Sequence, residues 1–124
     1  MTTPFEDIFV ELRRRMLKSG GAMVVTRDAP GDLVLKTPWN EPGKQEPAWF
    51  AAVQIKKAYV SCHLMPLYCL PALRDRVSPH LMKRMQGKSC FNFKTADAAL
   101  FDELERLIAE CAAAYAVPVS PQPH

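Results

Sequence analysis

Phe5, Ile8, Phe9, Leu12 and Met16 recur three and four positions apart, and Asp7, Glu11, Arg14 and Lys18 fall on the opposite face. That spacing predicts an amphipathic helix. Thr3-Pro4-Phe5-Glu6 supplies a capping box with proline at the first helical position, and Gly20-Gly21 supplies the stop. Glu11 precedes Arg15 by four, the favourable order for an ion pair. The period then changes. Residues 22–26 and 33–37 read as short strands around the turn sequence Asp28-Ala29-Pro30-Gly31-Asp32. Residues 38–47 hold three prolines and one glycine and read as a loop, with Trp39 either a lid over the sheet or, more commonly, an anchor.

Residues 49–55 and 58–65 read as the next hairpin, turning at Lys56-Lys57. Strand alternation puts Ala58, Val60, Cys62 and Leu64 on one face, toward the helices. It puts Tyr59, Ser61, His63 and Met65 on the other, predicting a sheet face partly open to solvent. Pro66 breaks the strand. Residues 67–77 read as a short helix or turn interrupted at Pro71, and Ser78-Pro79 caps another short helix over 80–85, closed by Gly87. Residues 90–94 alternate again, with Phe91 and Phe93 inward.

Leu100, Leu104, Leu107, Ile108, Cys111 and Tyr115 form the stripe of a last helix starting near Asp97. Asp97, Asp102 and Glu103 lie in or near its first turn, where the helix dipole favours them. The expectation is one domain over residues 1–116 with a disordered tail over 117–124. Its fold class is α+β: a two-layer sandwich with a mainly antiparallel sheet of about five strands, the N- and C-terminal helices packed on one face.

Composition narrows the class. The 124 residues are 48% hydrophobic and 23% charged, ordinary values for a globular chain. No apolar run reaches the roughly 20 residues that span a bilayer, and the start lacks the basic-then-apolar order of a signal peptide. The expected location is cytoplasmic, without a membrane. Cys62, Cys69, Cys90 and Cys111 form no C-x-x-C pair, and reduced, buried thiols are the expectation. The net charge of +3 is unevenly spread. Residues 51–94 carry eight lysines and arginines against Asp75 alone, whereas residues 95–124 carry Arg106 against five acids.

Met85-Gln86-Gly87-Lys88-Ser89 ends like a phosphate loop, but Met82 stands where the first glycine belongs, and the segment leaves a helix for a strand. Cys62 and His63 are adjacent in a strand and point to opposite faces, so they cannot pair with each other as nucleophile and base. His63 could meet Cys90 or His80 only across the fold. No cluster has the ligand spacing of a zinc site. The basic set is Lys56, Lys57, Arg74, Arg76, Lys83, Arg84, Lys88 and Lys94, with His80 among them. A solvated face balancing the acidic last helix and a functional patch explain it about equally well.

The functional reading is an anion site. Arg74, Arg76, Arg84 and Lys88 flank short helix ends and a glycine turn, with Tyr59, His63 and Tyr68 as an aromatic wall. The ligand would be a small anion or an acidic protein surface. The absence of a long basic helix or aromatic repeats argues against nucleic acid. Arg13-Arg14-Arg15 spreads over most of a helical turn and is not one patch.

The stretch WFAAVQIKKAYVSCHLMPLY, a helical spacer, GKSCFNF and a closing helix resemble the YdhG-like family of small bacterial domains, over roughly residues 49–110. His63, Leu67-Tyr68, Gly87, Lys88 and Phe93 carry the likeness. The resemblance implies a frataxin-like fold in a family of unknown function, and the first function expected is a non-enzymatic binding domain. It also implies an alternative, iron binding or delivery, for which Asp7 and Glu11 are the available acids. A Cys/His-dependent enzyme built on His63 ranks last. No cofactor follows from the sequence.

Overall fold

Thr3 opens the first helix as a cap: its hydroxyl oxygen accepts from the Glu6 backbone N–H at 3.1 Å, satisfying one donor that a helix start leaves unpaired. The computed structural model describes residues 3–118. In it, helix α1 spans Pro4–Ser19 and buries Ile8, Phe9, Leu12 and Met16, as its apolar spacing requires. The expected tail falls partly outside the described residues; Val117 and Pro118 belong to no helix or strand.

Strands β1 (Val24–Ala29) and β2 (Asp32–Asn40) form the first hairpin. Both run further toward their C-terminal ends than the alternation alone predicts. Pro30 and Gly31 make the turn, with Gly31 at φ +72°, a conformation that favours glycine. Strand β3 (Pro47–Ile55) pairs with β2, so the expected ten-residue loop shrinks to residues 41–46. Trp39 is an anchor: its Nε1–H donates to the Tyr115 carbonyl at 2.8 Å, and the two rings lie 5.8 Å apart. Strand β4 (Val60–Leu64) completes the second hairpin through the Lys56–Tyr59 turn, which is closed by a 2.8 Å backbone bond.

Three short helices follow, α2 (Met65–Cys69), α3 (Pro71–Arg74) and α4 (Pro79–Met82), each with proline in its first turn. The helix expected over 80–85 ends early. Met85 and Gln86 instead form strand β5, turned back at Gly87 (φ +72°) to pair with β6 (Cys90–Phe93). The sheet therefore has six strands rather than about five, in the order β1-β2-β3-β4-β6-β5, antiparallel throughout.

Helix α5 (Ala98–Ala114), capped by Asp97, lies beside α1. The two helices cover the face made by Leu33, Leu35, Ala51, Val53, Val60, Cys62, Leu64, Phe91 and Phe93. Phe93 meets Phe101 edge-on at 5.1 Å, a favoured aromatic geometry. This is the expected α+β two-layer arrangement with both terminal helices on one face. Among the described residues, no helix is long and apolar enough to cross a membrane.

One irregularity shapes the other face. Leu35 pairs with Ala51, but Lys36 pairs with Trp49, so Phe50 is an extra residue in β3. Phe50 and Ala51 are both fully buried, whereas Trp49 is 39% exposed.

Candidate functional site: a hollow on the uncovered sheet face

Pairing register fixes which side chains share the face away from the helices, because directly opposed residues point the same way. Ala52 opposes His63, which opposes Cys90; Gln54 opposes Ser61, which opposes Asn92; Lys36 opposes Trp49. Ala52 and Ser61 are small, and taller side chains surround them. The result is a hollow of about 300 Å³ lined by Trp49, Ala52, Gln54, Lys56, Tyr59, Ser61, His63 and Cys90. Trp49 stands at one end. Lys56 and Tyr59, from the hairpin turn, stand at the other.

The polar groups of the hollow have defined partners. The Gln54 side-chain amide donates to Asp32 Oδ1 at 2.9 Å, which leaves Gln54 Oε1 as an acceptor. Asp32 also pairs with Arg27. His63 Nδ1 lies 3.4 Å from the Ser89 hydroxyl. Burial pushes the His63 pKa down and holds the ring neutral at pH 7. Burial pushes the Cys90 thiol up, against smaller opposing effects of Lys56 and Ser61. Cys62, on the helix side, is driven up further by complete burial. His63 and Cys90 thus share a face in register, yet neither is in the charged form that a thiolate–imidazolium pair requires.

The eight residues expected to form one site go to different places. Tyr59 and His63 enter the hollow. Tyr68 and Lys88 meet each other, the ammonium 5.7 Å from the ring centroid, one residue along from the Ser89 that touches His63. His80 and Arg84 line a separate groove of about 460 Å³ beside the start of α5, with Lys83, Asp97 and Glu103. Arg76 pairs with Glu110 of α5 at 3.4 Å. Arg74 sits at the end of α3 with a buried Nη1 that has no hydrogen-bond partner among the described residues. The single basic concavity expected from the sequence is not formed. Short helices aim their side chains in several directions, and part of the charge answers the acidic last helix.

Glu11 uses both carboxylate oxygens on Arg14 and Arg15, at 2.6 and 2.8 Å for the closest contacts. Those two guanidiniums, Arg14 first, lower its pKa to about 2. Asp7, the other acid named for iron, is exposed on the same helix. Among the described residues, no group of three His, Cys, Asp or Glu side chains is placed to hold a metal ion.

Trp49, Gln54, Lys56 and Ser61 were not foreseen as members of a common site. A signal for them existed: once His63 is placed on the open face, every second residue of its strand and each register partner shares that face. The partners of β3 could be counted only with the bulge at Phe50 in hand. Comparison with protein-family models, curated proteins and solved structures gives no match to any of the three.

Proposed function

We propose that the chain is a YdhG-like, non-catalytic binding domain that takes a small anionic ligand in the hollow of its uncovered sheet face. Lys56 carries the reading. It lines the hollow, and no Asp or Glu does. It has no ion pair among the described residues, and Asp32, whose carboxyl feels its charge, is already held by Arg27 and Gln54. A cation at the edge of a depression, beside hydrogen-bonding groups and aromatic walls, attracts and orients an anion.

Catalysis is the weaker reading because His63 and Cys90 are both neutral. Iron delivery is weaker because Glu11 is already clasped by two arginines. A broad acidic partner surface is less favoured than a small ligand, because the cations are dispersed around the molecule.

A thermal-shift screen of small anions tests the proposal, using phosphate, citrate, short aliphatic carboxylates and aromatic carboxylates. A ligand at 100 times its Kd stabilises the folded state by about 2.7 kcal/mol, which reads as a rise of several degrees in Tm. The rise should be lost in Lys56→Glu. No rise with any anion, or an equal rise in Lys56→Glu, overturns the reading.

A further inference from the structure

Building on that anion-binding reading, we infer that the ligand is an aryl acid: a flat ring with a hydrogen-bonding substituent, bearing its carboxylate directly or on a one-atom arm. Three observations define it.

The first is the position of Trp49. Lys36 Nζ lies 5.7 Å from the Trp49 ring centroid. Trp49 lines the hollow and Lys36 does not. The indole thus borders the hollow while a cation from outside the lining is held over its ring. A 39% exposed tryptophan on a sheet face offers the kind of surface on which a flat ring stacks.

The second is spacing. The floor beneath such a ring is Ala52, which is 3% exposed and too small to fill the space above it. Ala52 and Lys56 are four residues apart, about 13 Å along the chain. The lysine's four-carbon stem covers about 6 Å of that when it leans inward. About 7 Å remains between a ring over Ala52 and the ammonium. That gap is spanned by a carboxylate bonded directly to the ring or held on a one-atom arm, once the hydrogen bond of about 2.8 Å to the ammonium is included.

The third is hydrogen bonding. Gln54 gives one amide hydrogen to Asp32 and keeps its second N–H and its Oε1, so it can pair with a hydroxyl on the ligand's ring as donor or as acceptor. The neutral His63 ring beside Ala52 adds a further flat wall without adding charge.

The test uses 4-hydroxyphenylacetate as probe, with its amide and cyclohexylacetate as controls. Binding is followed by calorimetry and by the two tryptophan Nε1–H resonances of the ¹⁵N-labelled protein. The expected result is that the probe moves the Trp49 resonance and leaves that of Trp39, which is bonded to Tyr115. Its affinity should fall at least tenfold in Trp49→Leu and in Lys56→Ala, and both controls should bind at least tenfold more weakly. Equal binding of the cyclohexyl acid overturns the aromatic assignment while leaving an anion site in place. Binding that leaves Trp49 and Lys56 without effect overturns the placement. Binding by no anion of any kind removes the underlying reading as well. The wild-type resonances decide the matter even if Trp49→Leu folds poorly.

Discussion

Arg15 Nη1 lies 2.6 Å from Asp102 Oδ1, tying the first helix to the last across 87 positions. The same guanidinium donates through Nε to Glu11 at 2.8 Å, and its carbon sits 6.0 Å from the centre of the Phe101 ring. The side chain is only 10% exposed, while that of Asp102 is 60% exposed. The strength of the contact therefore rests on the arginine's buried position more than on the carboxylate.

Arg15→Ala should destabilise the protein by about 2 kcal/mol, from lost charged hydrogen bonds together with lost packing of the stem. Asp102→Asn should cost less than about 1 kcal/mol, because the exposed partner is replaced by water. Urea unfolding midpoints measure both. An equal loss in the two variants contradicts the assignment of the energy to Arg15.

Glu11 predicts a specific response to acid. Arg14 and Arg15 hold its folded pKa at about 2, against 4.5 ordinarily. A carboxylate lowered on folding contributes stability that is complete above its unfolded pKa and disappears as pH falls toward the folded value. The contribution should therefore fade between about pH 4.5 and 2, and Glu11→Gln should flatten the decline in Tm over that window. A parallel decline in the two proteins would mean that the pair adds nothing in solution.

Trp39→Phe keeps an aromatic ring beside Tyr115 but removes the indole N–H. It should cost about 1 kcal/mol and leave Trp49 as the sole indole. Unchanged denaturant midpoints would show that the 2.8 Å bond to the Tyr115 carbonyl is not what anchors the end of β2.

Gly31→Ala meets two obstacles. The backbone there has φ +72°, and a Cβ would come within 3.3 Å of Ile55 Cδ1. Gly43 has φ +79° and nothing within 4 Å of such a Cβ. Gly43→Ala should cost about 1 kcal/mol for the backbone alone, and Gly31→Ala more. Equal losses would mean that Ile55 moves aside freely.

The elements most legible in the sequence are those that bury one regular stripe. Residues 4–19 and 98–114 show it at helical spacing, and Val60, Cys62 and Leu64 show it at strand spacing; all of these meet the core as their patterns require. Met85-Gln86 could not be read in this way, since two residues have no period and pair only because Gly87 returns the chain to β6. Ser61 reads as a solvent-facing position yet is 4% exposed, because taller neighbours on the same face cover it. The destinations of Arg74, Arg76, His80 and Arg84 depend on how three short helices are set against α5, and that information lies outside any local window. Tyr59 and His63 were placed on the correct face from alternation alone; their companions required the strand register.

The unpaired Phe50 makes that register consequential. Because β3 holds one residue more than β2 requires at that point, the phenylalanine goes inward, 6.3 Å from the Tyr115 ring, and the preceding tryptophan goes outward. Deleting Phe50 would make the pairs Leu35–Ala51 and Lys36–Trp49 consecutive: the indole would keep its place on the outer face, and the core beside Tyr115 would lose its phenyl ring. The surplus peptide unit thus works for the interior: it lets two consecutive residues, Phe50 and Ala51, both turn toward the helices while the outer face keeps its alternation on either side of them.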